Sequence, residues 1–246
     1  MERKFALFFA IAITLLIAIN ASIFSTQFSP EREEVKIQRI IDGDTLELED
    51  SRKIRLSNIN TPEKNIPGSE LATAYLKQYE DKIVEIEITG SDKYGRVLAR
   101  IFVPDYLNLE LVKRGLAVKY LVKEEEKKLF AEAEESAIKS SLGIWKKSPY
   151  YNCLESFISE KEEIVTISNK CNKLNIASWI LKDESRKLYV FKEIELGVIK
   201  LHTEQGEDNE TDIFWNSKSD IWNNDRDTLY MYDKDWQIIH YNSYGY

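Results

Sequence analysis

Between residues 31 and 148 the chain carries 21 Lys and Arg against 23 Asp and Glu but neither histidine nor cysteine, since His202, His240, Cys153 and Cys171 all lie later. Without imidazole or thiol there is no Ser/His or Cys/His nucleophile, no imidazole acid-base pair and no ordinary zinc site in this stretch. What remains is chemistry by carboxylates, guanidinium groups and a hard cation. Four short segments gather such groups at strand ends and turns: Ile41-Asp42-Gly43-Asp44-Thr45, Arg55-Leu56, Asn60-Thr61-Pro62-Glu63 and Asp92-Lys93-Tyr94-Gly95-Arg96. Each has a bland alternative when taken alone. Asp42-Gly43 reads as a hairpin turn, Thr61-Pro62-Glu63 as a turn or helix start, and Arg55 as a surface cation paired with an acid.

The surrounding pattern supplies elements to position these groups. A strand over 35–41 meets the Asp42-Gly43 hairpin signal, Leu46 and Leu48 alternate with acids, and 53–59 forms a third strand. Gly68 and Ser69 open a helix with Ser69 as N-cap and Leu71, Ala72, Tyr75, Leu76 and Tyr79 as its apolar stripe. Strands over 83–88 and 97–103 follow, then a helix over 107–114 ended by Gly115, and a last helix over 124–140 whose first turn holds three acids. Five short strands with three helices suit a small closed barrel of the OB type, a fold whose faces and loops often hold oligonucleotides. From Tyr150 onward short strands alternate with polar turns over 164–168, 179–181, 188–191, 198–201, 228–232 and 238–241, the signature of a β-sandwich. The fold class is therefore mainly β, with a barrel over 35–148 and a sandwich over 150–246.

Arg3 and Lys4 precede an almost wholly apolar run from Phe5 to Ile19 and then Asn20-Ala21-Ser22, the layout of an export signal over 1–24, with 25–34 as a polar linker. Cleavage near Ala21 gives a secreted protein. Continuation of the apolar run through Ile23 and Phe24 gives about 20 residues, barely a membrane span, and anchors the chain on the outer face of the membrane. Export makes a disulfide between Cys153 and Cys171 reasonable, the alternative being two buried thiols. The formal charge of -8 is concentrated in the C-terminal third. A near-neutral barrel does not suit tight binding along a nucleic-acid backbone, but it allows a catalyst that holds one or two phosphates.

The four segments, in this order and followed by Leu116-Ala117 and Gly143-Ile144-Trp145, resemble the staphylococcal-nuclease (thermonuclease) family over about 35–147. The resemblance implies the same five-stranded OB barrel and calcium-assisted cleavage of DNA and RNA that leaves 3'-phosphates. It assigns Glu63 as general base and Arg55 and Arg96 as the two phosphate-gripping arginines. Asp44, the Asn60 side chain and the Thr61 carbonyl become the metal ligands, with Asp42 in or near the second shell. Asn60 is a departure, because a better-known member has Asp there, and one fewer anionic ligand weakens calcium binding. Tyr94 matches a family position for stacking or phosphate contact, Tyr120 falls one residue off the corresponding place, and Lys93 is a candidate phosphate contact or a solvated turn lysine. The loop after Thr61-Pro62-Glu63 is short, Lys64 to Pro67.

In the C-terminal part, 163–169, 176–183, Leu201-His202-Thr203, 213–215 and 221–233 resemble a lamin-tail domain, which implies an immunoglobulin-like sandwich. Trp179, Trp215, Trp222 and Trp236 read as packing residues, and Asp225, Asp227, Asp233 and Asp235 as turn acids. The leading expectation is an exported metal-dependent nuclease with a C-terminal targeting or adhesion domain. Its rival is a catalytically inactive nucleic-acid-binding or envelope scaffold protein, for which Asn60 is the foothold.

Overall fold

The computed structural model describes residues 13–14 and 31–246, so nearly all of the export signal and residues 25–30 of the linker lie outside the described residues, while Glu33 and Glu34 of the expected linker already belong to the first strand. Residues Glu34–Tyr246 form one compact unit that holds both the barrel and the C-terminal sheets. Among the described residues no helix is long and apolar enough to cross a membrane.

The barrel is built from β1 (Glu33–Ile40), β2 (Thr45–Leu48), β3 (Lys53–Leu56), β4 (Ile59–Asn60), β5 (Ile83–Ser91), β6 (Val97–Val103), β7 (Asp105–Tyr106) and β8 (Val118–Lys119). The main sheet runs β3-β2-β1-β5-β6-β7, and a parallel pairing of β3 with β6 closes five of these strands into a barrel. Alternation drives the closure: Ile37, Leu46, Leu48, Ile54, Leu56, Ile86 and Ile101 are buried in the barrel, while Lys36, Glu47, Lys53 and Glu85 beside them are partly or fully exposed. A single strand over 53–59 does not form. Asn58 takes a left-handed conformation, φ 67, ending β3 and turning the chain so that β4 pairs with β8. This corner brings Asn60 and Thr61 back over the β1–β2 turn.

Three helices cover the barrel: α1 (Ser69–Lys77), α2 (Leu107–Lys113) and α3 (Lys127–Lys139). The N-cap of α1 is Gly68 at φ 90 rather than Ser69, and of its expected stripe only Ala72 and Leu76 are buried, with Leu71 exposed. The acids expected at the start of the last helix lie instead in a 3-10 turn, Glu124–Glu126. There Glu126 accepts from Asn58 at 2.6 Å and pairs with Arg100, tying the turn to the barrel.

The C-terminal part contains β9 (Leu154–Ser159), β10 (Ile164–Asn169), β11 (Ile180–Lys182), β12 (Leu188–Val190), β13 (Val198–His202), β14 (Asp212–Phe214), β15 (Asp227–Tyr232) and β16 (Ile238–Tyr244). They form two four-stranded sheets, β14-β13-β10-β9 and β12-β11-β15-β16. Val165, Ile167, Ile199 and Leu201 of one sheet share a core with Leu181, Leu229, Met231 and Ile239 of the other. Trp179 and Trp222 are buried in this core, Trp215 packs at its edge, and Trp236 packs on the seam with the barrel.

All six residues of β15 are buried, which a strand with one solvent face does not show. Leu229 and Met231 enter the C-terminal core, whereas Tyr230 and Tyr232 on the opposite face pack with Val118, Ala137, Ile138 and Trp145 of the barrel. The boundary near residue 150 is thus a packed seam, not a free linker.

Cys153 and Cys171 are bonded, with Cα atoms 5.2 Å apart and a separation of 18 positions in sequence. Restraining a loop of this length in the unfolded chain contributes about 3 kcal/mol. Replacing both cysteines by serine is therefore expected to lower the unfolding free energy by that order in urea titrations, with both core clusters retained; an unchanged midpoint contradicts this.

Candidate active site

The site lies where the β1–β2 turn, the end of β3 and the corner after β4 meet. Asp42 shapes the turn by accepting from the Asp44 amide at 3.0 Å. Gly43 permits its close approach to the corner, since a Cβ there would meet the Thr61 hydroxyl at 2.7 Å and the Ala72 methyl at 2.8 Å. Asp44 is buried at 3% exposure and accepts from the Thr61 amide and hydroxyl, both at 3.0 Å. Burial alone would raise its pKa, but the guanidinium groups of Arg55 and Arg186, with the two bonds from Thr61, hold it below the usual carboxylate range.

Arg55 projects from β3 into this pocket and is itself buried. Its Nε lies 3.3 Å from Asp44 Oδ1, one terminal nitrogen donates to the Leu56 carbonyl, and the other donates to the Ile59 carbonyl at 2.8 Å and to Asn60 Oδ1. Three of its five N–H groups thus donate to the protein, and Nε faces Asp44 in an ion pair. The free bidentate fork expected of Arg55 is not presented, because the turn into β4 wraps two backbone carbonyls around it.

Arg96 sits differently. In the β5–β6 turn, Asp92 accepts from the Tyr94 and Arg96 amides at 2.9 and 3.0 Å and from Arg96 Nε at 2.7 Å. This aims the guanidinium across the barrel mouth, where Nη1 donates to the Thr45 hydroxyl at 3.2 Å beside Asp44. Tyr94 is 73% exposed, with the Arg96 guanidinium 5.7 Å and Lys93 Nζ 5.2 Å from its ring. Tyr94 and Lys93 thus stand on the solvent side of Arg96. Tyr120 donates its amide to the Asn58 carbonyl at 2.8 Å, and burial, followed by the charge of Asp183, raises its phenol pKa.

Asn60 is engaged at both ends. Its Oδ1 accepts from Arg55, and its Nδ2 donates to the Glu184 carbonyl at 2.7 Å. One acceptor and one donor are needed there, which an ionised Asp cannot supply. Asn60→Asp should therefore set a carboxylate against a carbonyl and cost about 1–3 kcal/mol in stability, read by urea unfolding. A wild-type midpoint contradicts this assignment.

Glu63 is the exposed member, with 61% of its side chain accessible, and one terminal nitrogen of Arg186 donates to it. The other terminal nitrogen donates to Asp44. Thus Asp44, Arg55, Asn60, Thr61, Glu63 and Arg96 converge, joined by a residue from the C-terminal sheets that sequence reasoning did not find. Arg186 stands in the β11–β12 turn, Asp183-Glu184-Ser185-Arg186, which reads locally as an ordinary polar hairpin and carries no signal of its destination. Lys119 was also missed, although a single cation inside the apolar run 116–122 was a signal that it is buried and paired.

The oxygens of Asp44, Asp42 and the Thr61 carbonyl are the kind a hard divalent ion takes, whereas Asn60 Oδ1 is already held by the Arg55 guanidinium. A cationic group, the Arg186 guanidinium, already lies against Asp44 and Glu63, so the site fits a cation in charge and donor type. Among the described residues no group of three or more His, Cys, Asp or Glu side chains is placed to hold a metal.

A family model of staphylococcal nuclease homologues matches residues 53–147. An uncharacterised endonuclease of Escherichia coli is 37% identical over 91 residues, covering 35% of this chain and 60% of that protein. An uncharacterised protein of Methanocaldococcus jannaschii is 32% identical over 145 residues, covering 45% of this chain and 70% of that protein. A staphylococcal-like nuclease of Arabidopsis thaliana is 32% identical over 98 residues, covering 39% of this chain and 30% of that protein. The matched family region includes Arg55, Asn60, Thr61, Glu63, Lys93, Tyr94, Arg96 and Tyr120 and begins after Asp42 and Asp44. With its closed five-stranded barrel and this sequence likeness, the chain belongs to the staphylococcal nuclease family.

Proposed function

We propose that the chain is an exported nuclease that hydrolyses phosphodiester bonds of DNA and RNA with the help of a divalent ion, calcium being the favoured choice. The observation that carries this reading is the convergence of Asp44, Glu63 and Arg96 at one mouth of the barrel. Glu63, exposed at the rim, takes the proton of an attacking water as the new P–O bond forms, and the 5'-oxygen leaves with the electron pair of the broken P–O bond and takes a proton from solvent, giving a 3'-phosphate and a 5'-hydroxyl. Arg96, held by Asp92, donates to the phosphate oxygens as charge builds on them. Arg55 acts mainly by fixing Asp44 and the β4 corner, with its remaining N–H directed to the phosphate. Asp44 and the Thr61 carbonyl, with Asp42 nearby, would hold the ion, Asn60 Oδ1 joining them on release from Arg55, and the ion would supply Lewis-acid polarisation of the phosphate.

The apolar segment after Arg3 and Lys4 and the Cys153–Cys171 bond support export, either released or anchored at the outer face of the membrane. The two C-terminal sheets, with the motifs over 163–183 and 201–233, support a lamin-tail-like, immunoglobulin-type sandwich that targets or attaches the enzyme. The locking of Arg55 favours the rival, a barrel that binds without cutting, and one assay separates the two. The full chain is incubated with calcium and end-labelled single-stranded DNA or RNA, and the product termini are identified. Fragments ending in 3'-phosphate are expected; 5'-phosphate products or intact substrate overturn the reading.

A further inference from the structure

Arg186 occupies an unusual position for a residue in a polar turn. The turn is held from several sides: the Lys187 amide donates to Asp183 at 2.7 Å, the Glu184 carbonyl accepts from Asn60, and the Glu184 carboxylate accepts from Thr228 and Tyr246, both at 2.6 Å. At Arg186 the backbone is left-handed, φ 78, which is uncommon and strained for a long side chain and persists where surrounding contacts enforce it. The result is a guanidinium that donates one nitrogen to Asp44 and the other to Glu63, with its Nε buried and unpartnered.

Three consequences follow from charge and lone-pair accounting. Asp44 Oδ2 already takes two bonds from Thr61, so the donation from Arg186 leaves that oxygen little capacity for a divalent ion. Two cations cannot share one buried carboxylate oxygen without strong repulsion. The other terminal nitrogen of Arg186 takes a carboxylate oxygen of Glu63 and so occupies the place from which that oxygen would meet a water. We infer that Arg186 is a built-in counter-cation by which the C-terminal domain keeps the ion and base positions of the barrel closed until a divalent cation displaces it. This rests on the metal-assisted reading above and adds to it a competition between two parts of the same chain.

The test is calorimetric titration of calcium into the full chain without nucleic acid. Arg186→Ala removes the competitor and should bind calcium about tenfold more tightly than the wild type. Arg186→Lys keeps the charge and loses the fork, and should fall between them. Lys64→Ala removes an exposed cation close in sequence and should stay near wild type, excluding a general charge effect. Folding of each variant is checked by its melting transition in chelator, and the lysine variant carries the test if the alanine variant does not fold. Equal or weaker calcium binding by the Arg186 variants overturns the inference and leaves the nuclease reading intact. If neither wild type nor variants bind calcium, the metal-assisted reading fails and the inference falls with it. Unchanged binding with lost cleavage would make Arg186 a phosphate contact instead.

Discussion

Lys119→Met is expected to lower the unfolding free energy by about 3–5 kcal/mol, the usual consequence of removing one partner from a buried ion pair. Lys119 Nζ lies 2.7 Å from Glu134 and 3.2 Å from Glu184, and the side chains of all three are at most 3% exposed. The ammonium also donates to Thr228 Oγ1 at 2.5 Å and lies 4.3 Å from the Tyr246 ring. Burial alone would depress the lysine pKa, but the two carboxylates hold it above the ordinary value. Without the cation, Glu134 and Glu184 lose the ion pair that holds them across the seam, and only the field of Lys182 offsets their mutual repulsion. Burial already raises the Glu184 pKa, and loss of Lys119 raises it further. A carboxylate with a raised folded pKa is stabilising below its unfolded pKa and loses that contribution as pH rises, so the deficit in the variant should be larger at pH 7 than at pH 5. Because Glu134 belongs to α3 and Glu184 to the β11–β12 turn, the wild type should unfold barrel and sheets in one transition and the variant should separate them. Urea unfolding followed by both fluorescence and circular dichroism reads this, and a loss under about 1 kcal/mol contradicts it.

Glu63→Gln is expected to reduce the cleavage rate by about 10²–10⁴ while leaving the fold intact. Glutamine keeps the size and can still accept from Arg186, but it cannot take a proton from water. Because most of the Glu63 side chain is accessible, the substitution exposes no cavity and should not shift the melting temperature appreciably. A rate within about tenfold of wild type would move the base elsewhere and remove the main role assigned to this residue.

The barrel was legible because strand alternation and inward isoleucines and leucines leave few alternatives, and the four polar segments do meet at one mouth. Three features were not legible, each for a physical reason. The break at Asn58 depends on one left-handed residue inside a run that otherwise favours extension. The placement of Asn60 followed from its sequence position, but its amide answers a carbonyl 124 residues away, a demand no local pattern contains. Arg186 was invisible because a hairpin turn shows the same residues whether it points to solvent or into another site. The fully buried β15 is a related case. Its Thr-Leu-Tyr-Met-Tyr pattern reads as a strand, but only the second buried face reveals that barrel and sheets share a seam.

Cleavage of DNA and RNA by the full chain, with calcium, with other divalent ions and with excess chelator, tests the central claim most directly. The expected result is fragmentation of both nucleic acids with calcium and none with chelator; substrate left intact with every ion contradicts it.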